Sequence, residues 1–471
     1  MTKDMTSGSP LRLILAFAVP LMLGSLFQQF YSMADTIIVG RFVGVEALAA
    51  VGSTGSLNYL IIGFATGLCS GFTIPVAQCF GAQDYGLMRR YVANTIWLLL
   101  AFGGVLTVLT VALTPAILRL TNTPGDILGF ATDYIRTIFA GLPATLLYNL
   151  CSAVMRALGD SKWPLYFLLL ASVLNIGLDV FFILSFGMGV FGAALATVIS
   201  QAVAGVLSLI YLVKNFRILY FQKGELAPNK RCCVALCRMG IPMGLQCSLT
   251  AVGSVVLQTA VNGLGSAIVA AQTAGSKAGM ILSVPLESIG TAMTTYAGQN
   301  YGAMKLARVR EGVRRALAVA CVYSVVSFVI FHYADRLVIG LFLDSGEAAI
   351  MANAQKFLFW NSVFYIPLGV LIVYRYTIQG LGYSGVAMFA GVAEMLARAV
   401  VGCLLVGRFG YIAVCIASPA AWFAACFFLI PAYRIVMRRL ERAQQAWRPE
   451  GAGAGAQPAD TDVRLARSIR S

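Results

Sequence analysis

Apolar residues run in long stretches along this chain, parted by short polar segments. Twelve stretches reach roughly 20 residues or more, the length a helix needs to cross a hydrocarbon layer. They cover 11–38, 47–79, 91–118, 127–156, 163–185, 190–214, 239–262, 270–299, 314–342, 348–379, 385–407 and 411–437. The pattern predicts an all-α membrane protein of twelve transmembrane helices. Pro20, Pro75, Pro143, Pro242, Pro285, Pro367 and Pro419 fall inside stretches. In a bundle, neighbouring helices satisfy the backbone groups a proline frees, so these positions predict bends rather than ends.

The pattern is written twice, about 221 residues apart. Gln78 with Phe80-Gly81-Ala82 returns as Gln299 with Tyr301-Gly302-Ala303, Pro20 as Pro242, Gly44 as Gly265, Leu158-Gly159 as Leu381-Gly382, and Gly189 as Gly410. The expectation is two six-helix, pseudo-symmetric lobes of the same direction around a central cleft. Residues 1–10 lead in, 11–214 and 239–437 form the lobes, 215–238 link them, and 438–471, with a Gly-Ala run at 451–456, form a disordered tail. Repeated helical bundles are the build of secondary transporters, whose lobes rock about a site near the bilayer midplane.

Composition agrees with this reading. The 471 residues are 59% hydrophobic and 11% charged, with mean hydropathy +0.82. A soluble domain carries roughly twice that charged fraction. The net charge of +15 lies between the apolar stretches, so it implies no nucleic-acid partner. One side collects Arg89, Arg90, Arg156, Lys162, the basic residues of 214–238, Lys305, Arg308, Arg310, Arg314, Arg315 and the tail; the other holds Arg41, Arg119, Arg336 and Arg408. The positive-inside rule puts the crowded side and both termini in the cytoplasm of an inner (plasma) membrane. The first stretch is too long for a cleavable signal peptide. Eleven cysteines without CxxC spacing read as small hydrophobes, and the one histidine, His332, cannot build a His-rich metal site.

Ionisable residues inside a membrane are costly and mark function unless paired or near an end. Asp35 lies late in the first stretch, and its nearest cation in sequence is Arg41, six residues on. Asn175 and Asp179, four apart, share a helix face in the fifth. In a dry pocket, and beside a second carboxylate, a carboxyl gives up its proton less readily. The same oxygens with Asn175 and a hydroxyl suit a sodium ion, so the two acids form a candidate proton or sodium site. Gly177 and Gly187 are expected to let neighbours approach. Glu287 follows Pro285, with Arg375 as its partner or as a cleft-lining cation. Glu394 and Arg398 are four apart and able to neutralise one another. Asp84, Arg89 and Arg90, and in the second copy Lys305 and Arg308, occupy matching cytoplasmic loops. No GxxxxGK[ST] sequence occurs, so ATP is not the energy source.

These motifs resemble the multidrug and toxic compound extrusion (MATE) family, prokaryotic branch, over roughly residues 10–437. The resemblance rests on Met33-Ala34-Asp35-Thr36, Glu46-Ala47-Leu48-Ala49-Ala50-Val51-Gly52, Gln78-Cys79-Phe80-Gly81-Ala82, Arg156-Ala157-Leu158-Gly159-Asp160-Ser161, Gly298-Gln299-Asn300-Tyr301-Gly302-Ala303 and Gln379-Gly380-Leu381-Gly382. It implies a non-enzymatic antiporter, a monomer without cofactor, that sits in membrane lipid and exports organic, cationic or amphipathic compounds in exchange for Na+ or H+. It also implies a first-lobe cation site of Asp35, Asn175, Asp179 and Thr197, supported by Tyr134 and Asn149. The acids some members carry in spans 7 and 10 are absent, leaving Glu287, Glu394 and Arg398 as second-lobe candidates. The alternative is a flippase or exporter of lipid-linked saccharides, which calls for a strongly basic cleft.

Overall fold

A computed structural model describes residues 3–121, 123–340 and 348–446, Val45 without its side chain. The described residues are almost entirely helical and contain no strand. Among the described residues, ten helices are long and apolar enough to cross a membrane. Two bent pairs bring the number to twelve if each pair is one span.

The first copy contains α1 (Pro10–Phe42), α2 (Val45–Phe72), α3 (Ile74–Gly81), α4 (Tyr85–Leu120), α5 (Leu128–Ala140), α6 (Leu142–Ala157), α7 (Lys162–Val180) and α8 (Gly189–Asn215). The second contains α9 (Lys230–Asn262), α10 (Ser266–Gly302), α11 (Leu306–Ile339), α12 (Ala348–Val363), α13 (Tyr365–Gly380), α14 (Ser384–Val400), α15 (Val406–Phe409) and α16 (Tyr411–Ala446). The stretch 127–156 is α5 and α6, bent by 46° next to Pro143; the stretch 348–379 is α12 and α13, bent by 52° next to Pro367. α2 ends at Phe72, just before Pro75. A proline disfavours helical geometry in the residue before it and removes a hydrogen bond, which explains all three breaks. Pro20, Pro242, Pro285 and Pro419 stay inside continuous helices.

The duplication extends to the backbone. Left-handed residues recur as pairs: Gly44 and Gly265, Gln83 and Met304, Gly159 and Gly382, Gly189 and Gly410. α7 and α14 both run into a π-helical turn, Phe181–Ser185 and Val401–Leu405.

By packing, the chain forms two compact units. One holds Pro20–Phe80 and Tyr85–Gly244 with Lys3 and Asp4; the other holds Met5–Val19, Gly81–Asp84 and the described residues from Leu245 on. Along the chain 215–238 parts the copies, but residues 239–244 pack with the first unit and 5–19 with the second. At 33 residues each, α1 and α9 reach about 50 Å, long enough for the two halves of one helix to pack differently. Nor is 230–238 a loop, since α9 begins at Lys230. α16 continues to Ala446, so the first part of the polar tail is helix; the rest of the expected disordered tail, and the last two residues of 314–342, lie outside the described residues.

Within the first unit, α2 and α9 approach through facing glycine pairs, Gly67/Gly71 and Gly240/Gly244. A Cβ on Gly71 would lie 2.5 Å from the Gly240 Cα, and one on Gly67 2.7 Å from the Met243 carbonyl oxygen. Small residues four apart let membrane helices touch backbone to backbone. The segment before α9 is fastened to α4. Glu225 takes Arg89 at 2.6 and 2.9 Å, the Trp97 indole donates to Leu226, and the Asn229 amide donates to Asn94 Oδ1 at 2.7 Å. The Arg89 guanidinium holds the Glu225 carboxyl below its usual value.

In the second unit, Gln299 and Asn300 are fully buried and bind the lead-in segment. Met5 N–H donates to Gln299 at 2.9 Å and Asn300 donates to the Met5 carbonyl at 3.1 Å. Lys305 and Arg308 donate to the carbonyls of Thr6 and Gly8. The matching-loop charges thus have distinct partners: an acid for Arg89, main-chain carbonyls for Lys305 and Arg308.

Candidate functional site

α7 carries Ser172, Asn175 and Asp179 at three- and four-residue steps, so all three share one face. They are buried, Asn175 at 2% and Asp179 at 0% exposure. α8 packs alongside α7 and presents Thr197, Ser200 and Gln201, again one helical step apart. The Asn175 amide donates to Thr197 Oγ1 at 3.3 Å, and that hydroxyl donates to the Ala193 carbonyl at 3.1 Å. This fixes the amide oxygen of Asn175 away from Thr197.

Asp35, 9% exposed on α1, is the electrostatic neighbour of Asp179. No lysine or arginine forms an ion pair with either acid among the described residues. Asp35 Oδ1, both carboxyl oxygens of Asp179 and Asn175 Oδ1 are buried without a hydrogen-bond partner; so are Ser200 Oγ and Gln201 Oε1. Buried polar atoms ordinarily have partners, and each one lacking them calls for an explanation. A cavity of about 10 Å³ adjoins Asn175, lined by Tyr31, Leu168, Ala171, Ser172, Asn175, Thr197, Ser200 and Gln201, with neither acid in its lining. That is about one water-sized particle. Unpartnered oxygens without nitrogen or sulfur donors are the ligand chemistry of a hard cation.

Of the residues expected at this site, Asp35, Asn175, Asp179 and Thr197 come together. Tyr134 joins them from α5: it is buried and feels the charge of both acids. Asn149 donates to Thr145 of its own helix at 2.9 Å and bonds to none of the four. Tyr31, Ser172, Ser200 and Gln201 escaped the sequence reading. Their signal was helical spacing from Asn175 and Thr197 and, for Tyr31, one turn from Asp35. Gly177 and Gly187 do not serve close packing: nothing lies within 4 Å of a Cβ at either, and Gly187 is a left-handed turn residue.

The second unit places its charges differently. Arg375 on α13 forms an ion pair with Glu394, and Arg398 lies 3.8 Å from the same carboxylate. Arg375 thus has its ion pair with Glu394, while Glu287 is its leading electrostatic neighbour. Gln246 sits between Gln379, at 2.7 Å, and the Arg375 guanidinium, at 3.3 Å. Glu287 stands apart on an exposed face of α10, its carboxylate accepting from the Tyr376 hydroxyl at 2.6 Å.

A family model described as MatE matches residues 20–181 and again 242–404, once in each copy. The chain is 30% identical over 360 residues to the probable multidrug resistance protein YoeA of Bacillus subtilis, covering 75% of this chain and 78% of that protein. To the multidrug export protein MepA of Staphylococcus saprophyticus it is 25% identical over 383 residues, 80% of this chain and 84% of that one. The crystal structure of a MATE in complex with MaL6 shares the fold, with TM-score 0.87 at 24% identity over 94% of this chain and all of that one. With both halves matched by one family model and most of its length aligned to multidrug resistance relatives, the chain belongs to the MATE family of multidrug efflux transporters and is a multi-pass membrane protein.

Proposed function

We propose that the chain is a cation-coupled antiporter that exports organic, cationic or amphipathic solutes from the cytoplasm across the plasma membrane in exchange for Na+ or H+. It acts as a monomer with both termini in the cytoplasm. The observation that carries this reading is the set of buried, unpartnered oxygens of Asp35, Asn175 and Asp179, of which Asn175 also lines a cavity of about 10 Å³. A cation entering there gives those oxygens the partner they lack and draws α1 toward α7 and α8. A proton does the same by turning one carboxylate into a donor for the other. The ion drives transport by the difference between its affinities for two states of the first unit. The export direction is supported by the names of the relatives, and the orientation by the basic side of the chain.

The test is efflux of cationic dyes from proteoliposomes under separately imposed sodium and pH gradients. Asp35→Asn abolishes gradient-driven efflux while sparing membrane insertion; full activity in that variant refutes the reading. The lipid-linked saccharide alternative needs cations free to hold a diphosphate. It is disfavoured by the engagement of Arg375 and Arg398 with Glu394.

A further inference from the structure

We propose that the surface where the segment before α9 meets the first turns of α4 is a binding site for an anionic phospholipid. Arg90, Lys223, Lys230 and Arg231 receive the headgroup phosphate, and an acyl chain runs along α4 from Trp97. The site lies wholly in the first unit and concerns neither the solute nor the coupling ion. It rests on the proposed function only in that the basic side of the chain faces a leaflet holding anionic lipid.

From Tyr85 to Asn94, and again from Lys214 to Arg238, the sequence holds one acid, Glu225. That acid is already engaged. It is buried, Arg89 donates to both of its carboxyl oxygens, and Oε2 also accepts from the Gln222 amide at 2.8 Å. Around this closed pair Arg90, Lys223, Lys230 and Arg231 are exposed, and none has an ion-pair partner among the described residues. They are also brought together. Lys223 is two residues from Glu225, and Arg90 is an electrostatic neighbour of both Glu225 and Cys232, the residue after Arg231. The Asn229 N–H donates to Asn94, one turn beyond Arg90, and the Asn229 side chain accepts from the Arg231 amide at 3.0 Å. The segment is therefore a fastened surface rather than a loose linker, and little of its backbone has to be ordered when an anion arrives.

The positive-inside rule calls for cations at this end of the helices and for nothing more. Here apolar groups stand exposed among them. Tyr220, Phe221 and Leu226 are exposed, and so is the Trp97 indole, which donates to the Leu226 carbonyl at 2.9 Å. An indole fixed by its polar end beside cations is the arrangement of a membrane–water boundary, where Trp and Tyr sit at headgroup depth. Beyond Trp97 the exposed face of α4 continues with Leu100, Ala101, Gly104 and Val108. Nothing lies within 4 Å of a Cβ at Gly104, so the face has a shallow notch there. From Trp97 to Val108 is about 16 Å, the depth of one leaflet in a hydrocarbon layer about 30 Å thick. Basic residues beside an anionic leaflet are attracted to it one by one, and the attractions add. Cations at the head and a notched apolar face below them fit a lipid with a charged headgroup, whereas a free phosphate uses only the cations.

The experiment titrates dioleoylphosphatidylglycerol, or dioleoylphosphatidylcholine with the same acyl chains, into the purified full-length chain in detergent and counts bound lipid by native mass spectrometry. The parent holds its first phosphatidylglycerol about tenfold more tightly than phosphatidylcholine. Arg90→Gln, Lys223→Gln, Lys230→Gln and Arg231→Gln, combined, bring that preference down to about twofold or less. A control with the same loss of charge, Arg434→Gln, Arg438→Gln, Arg439→Gln and Arg442→Gln at exposed positions of α16, keeps it. Thermal melting checks that each variant is folded. Should the first combination not fold, Lys223→Gln with Lys230→Gln carries the test, with a loss of about threefold. The proposal is overturned if the parent binds the two lipids alike, if the first combination keeps the preference, or if the control loses it equally. It is also overturned if inorganic phosphate at the concentration of the lipid displaces phosphatidylglycerol, since the site then takes an anion and not a lipid. Asp35→Asn keeps the lipid preference. Loss of efflux there and loss of lipid binding here therefore report on separate claims.

Discussion

Asp179→Asn is expected to make the protein more stable and, at the same time, unable to use its coupling ion. The parent buries both Asp179 carboxyl oxygens without partners, beside the equally unpartnered Oδ1 atoms of Asp35 and Asn175. An unsatisfied buried polar atom costs about 1–3 kcal/mol. The substitution removes one orphan acceptor and supplies an amide donor to oxygens that have none. Stability without sodium therefore rises by about 1–3 kcal/mol, a few degrees in melting temperature. Sodium acts in the opposite sense on the pair. A parent bound at a hundred times its dissociation constant gains about 2.7 kcal/mol; the variant, lacking a charged ligand, gains little. The assay is thermal unfolding in detergent, in sodium chloride against choline chloride at one ionic strength. The parent shifts upward with sodium, and the variant starts higher and stays flat. A variant that melts below the parent in choline chloride refutes the reasoning, because the carboxyl oxygens would then be satisfied and structural.

Two further outcomes concern the frame around the site. Gly71→Ala puts a Cβ 2.5 Å from the Gly240 Cα, where no flexible side chain can yield; a loss of about 1–3 kcal/mol is expected on melting, and an unchanged melting temperature would mean that α2 and α9 are not in backbone contact. The lowered Glu225 carboxyl stabilises the fold above the ordinary glutamate range, near pH 4.3, and this contribution is lost as pH falls through its lower folded value. The contribution of this pair to the melting temperature is thus flat from pH 7 to about 5 and drops below about 4. Glu225→Gln is less stable at neutral pH and shows a shallower acid drop; parallel profiles would remove Arg89–Glu225 as a fastening.

The span pattern was legible because twenty apolar residues have one good home, and the repeat because it is written in glycines and prolines. Which prolines break a helix was not. Pro143 and Pro367 sit at bends while Pro242 and Pro285 do not, since neighbouring helices decide whether a freed carbonyl finds a partner. Asp35 and Asp179 could be picked out because a carboxylate is conspicuous in an apolar run, and Asn175 because it shares the helix face of Asp179; Thr197 came only through the family resemblance. Ser200, Gln201 and Tyr31 were not picked out, because a lone hydroxyl or amide in a membrane helix ordinarily bonds to its own backbone, as Asn149 does. Arg375 lies 19 residues from Glu394 in sequence, on another helix, and no local spacing announces their pairing. The two π-helical turns have no sequence signal that periodicity can detect.

The two copies repeat their geometry but not their chemistry. Left-handed residues recur at matching positions because a turn that needs positive φ accepts few residue types. Side chains on a helix face carry no such restriction. The π-helical turn of the first copy follows Asp179, whose carboxyl oxygens lack partners; that of the second follows Arg398, which leans on Glu394. An unpartnered carboxylate gains free energy when a cation arrives and loses it when the cation leaves. A buried ion pair has the reverse property, since removing one partner costs about 3–5 kcal/mol. On the function proposed above, the first copy is the one that responds to a passing ion. The second has its central charges, Arg375, Glu394 and Arg398, held against one another.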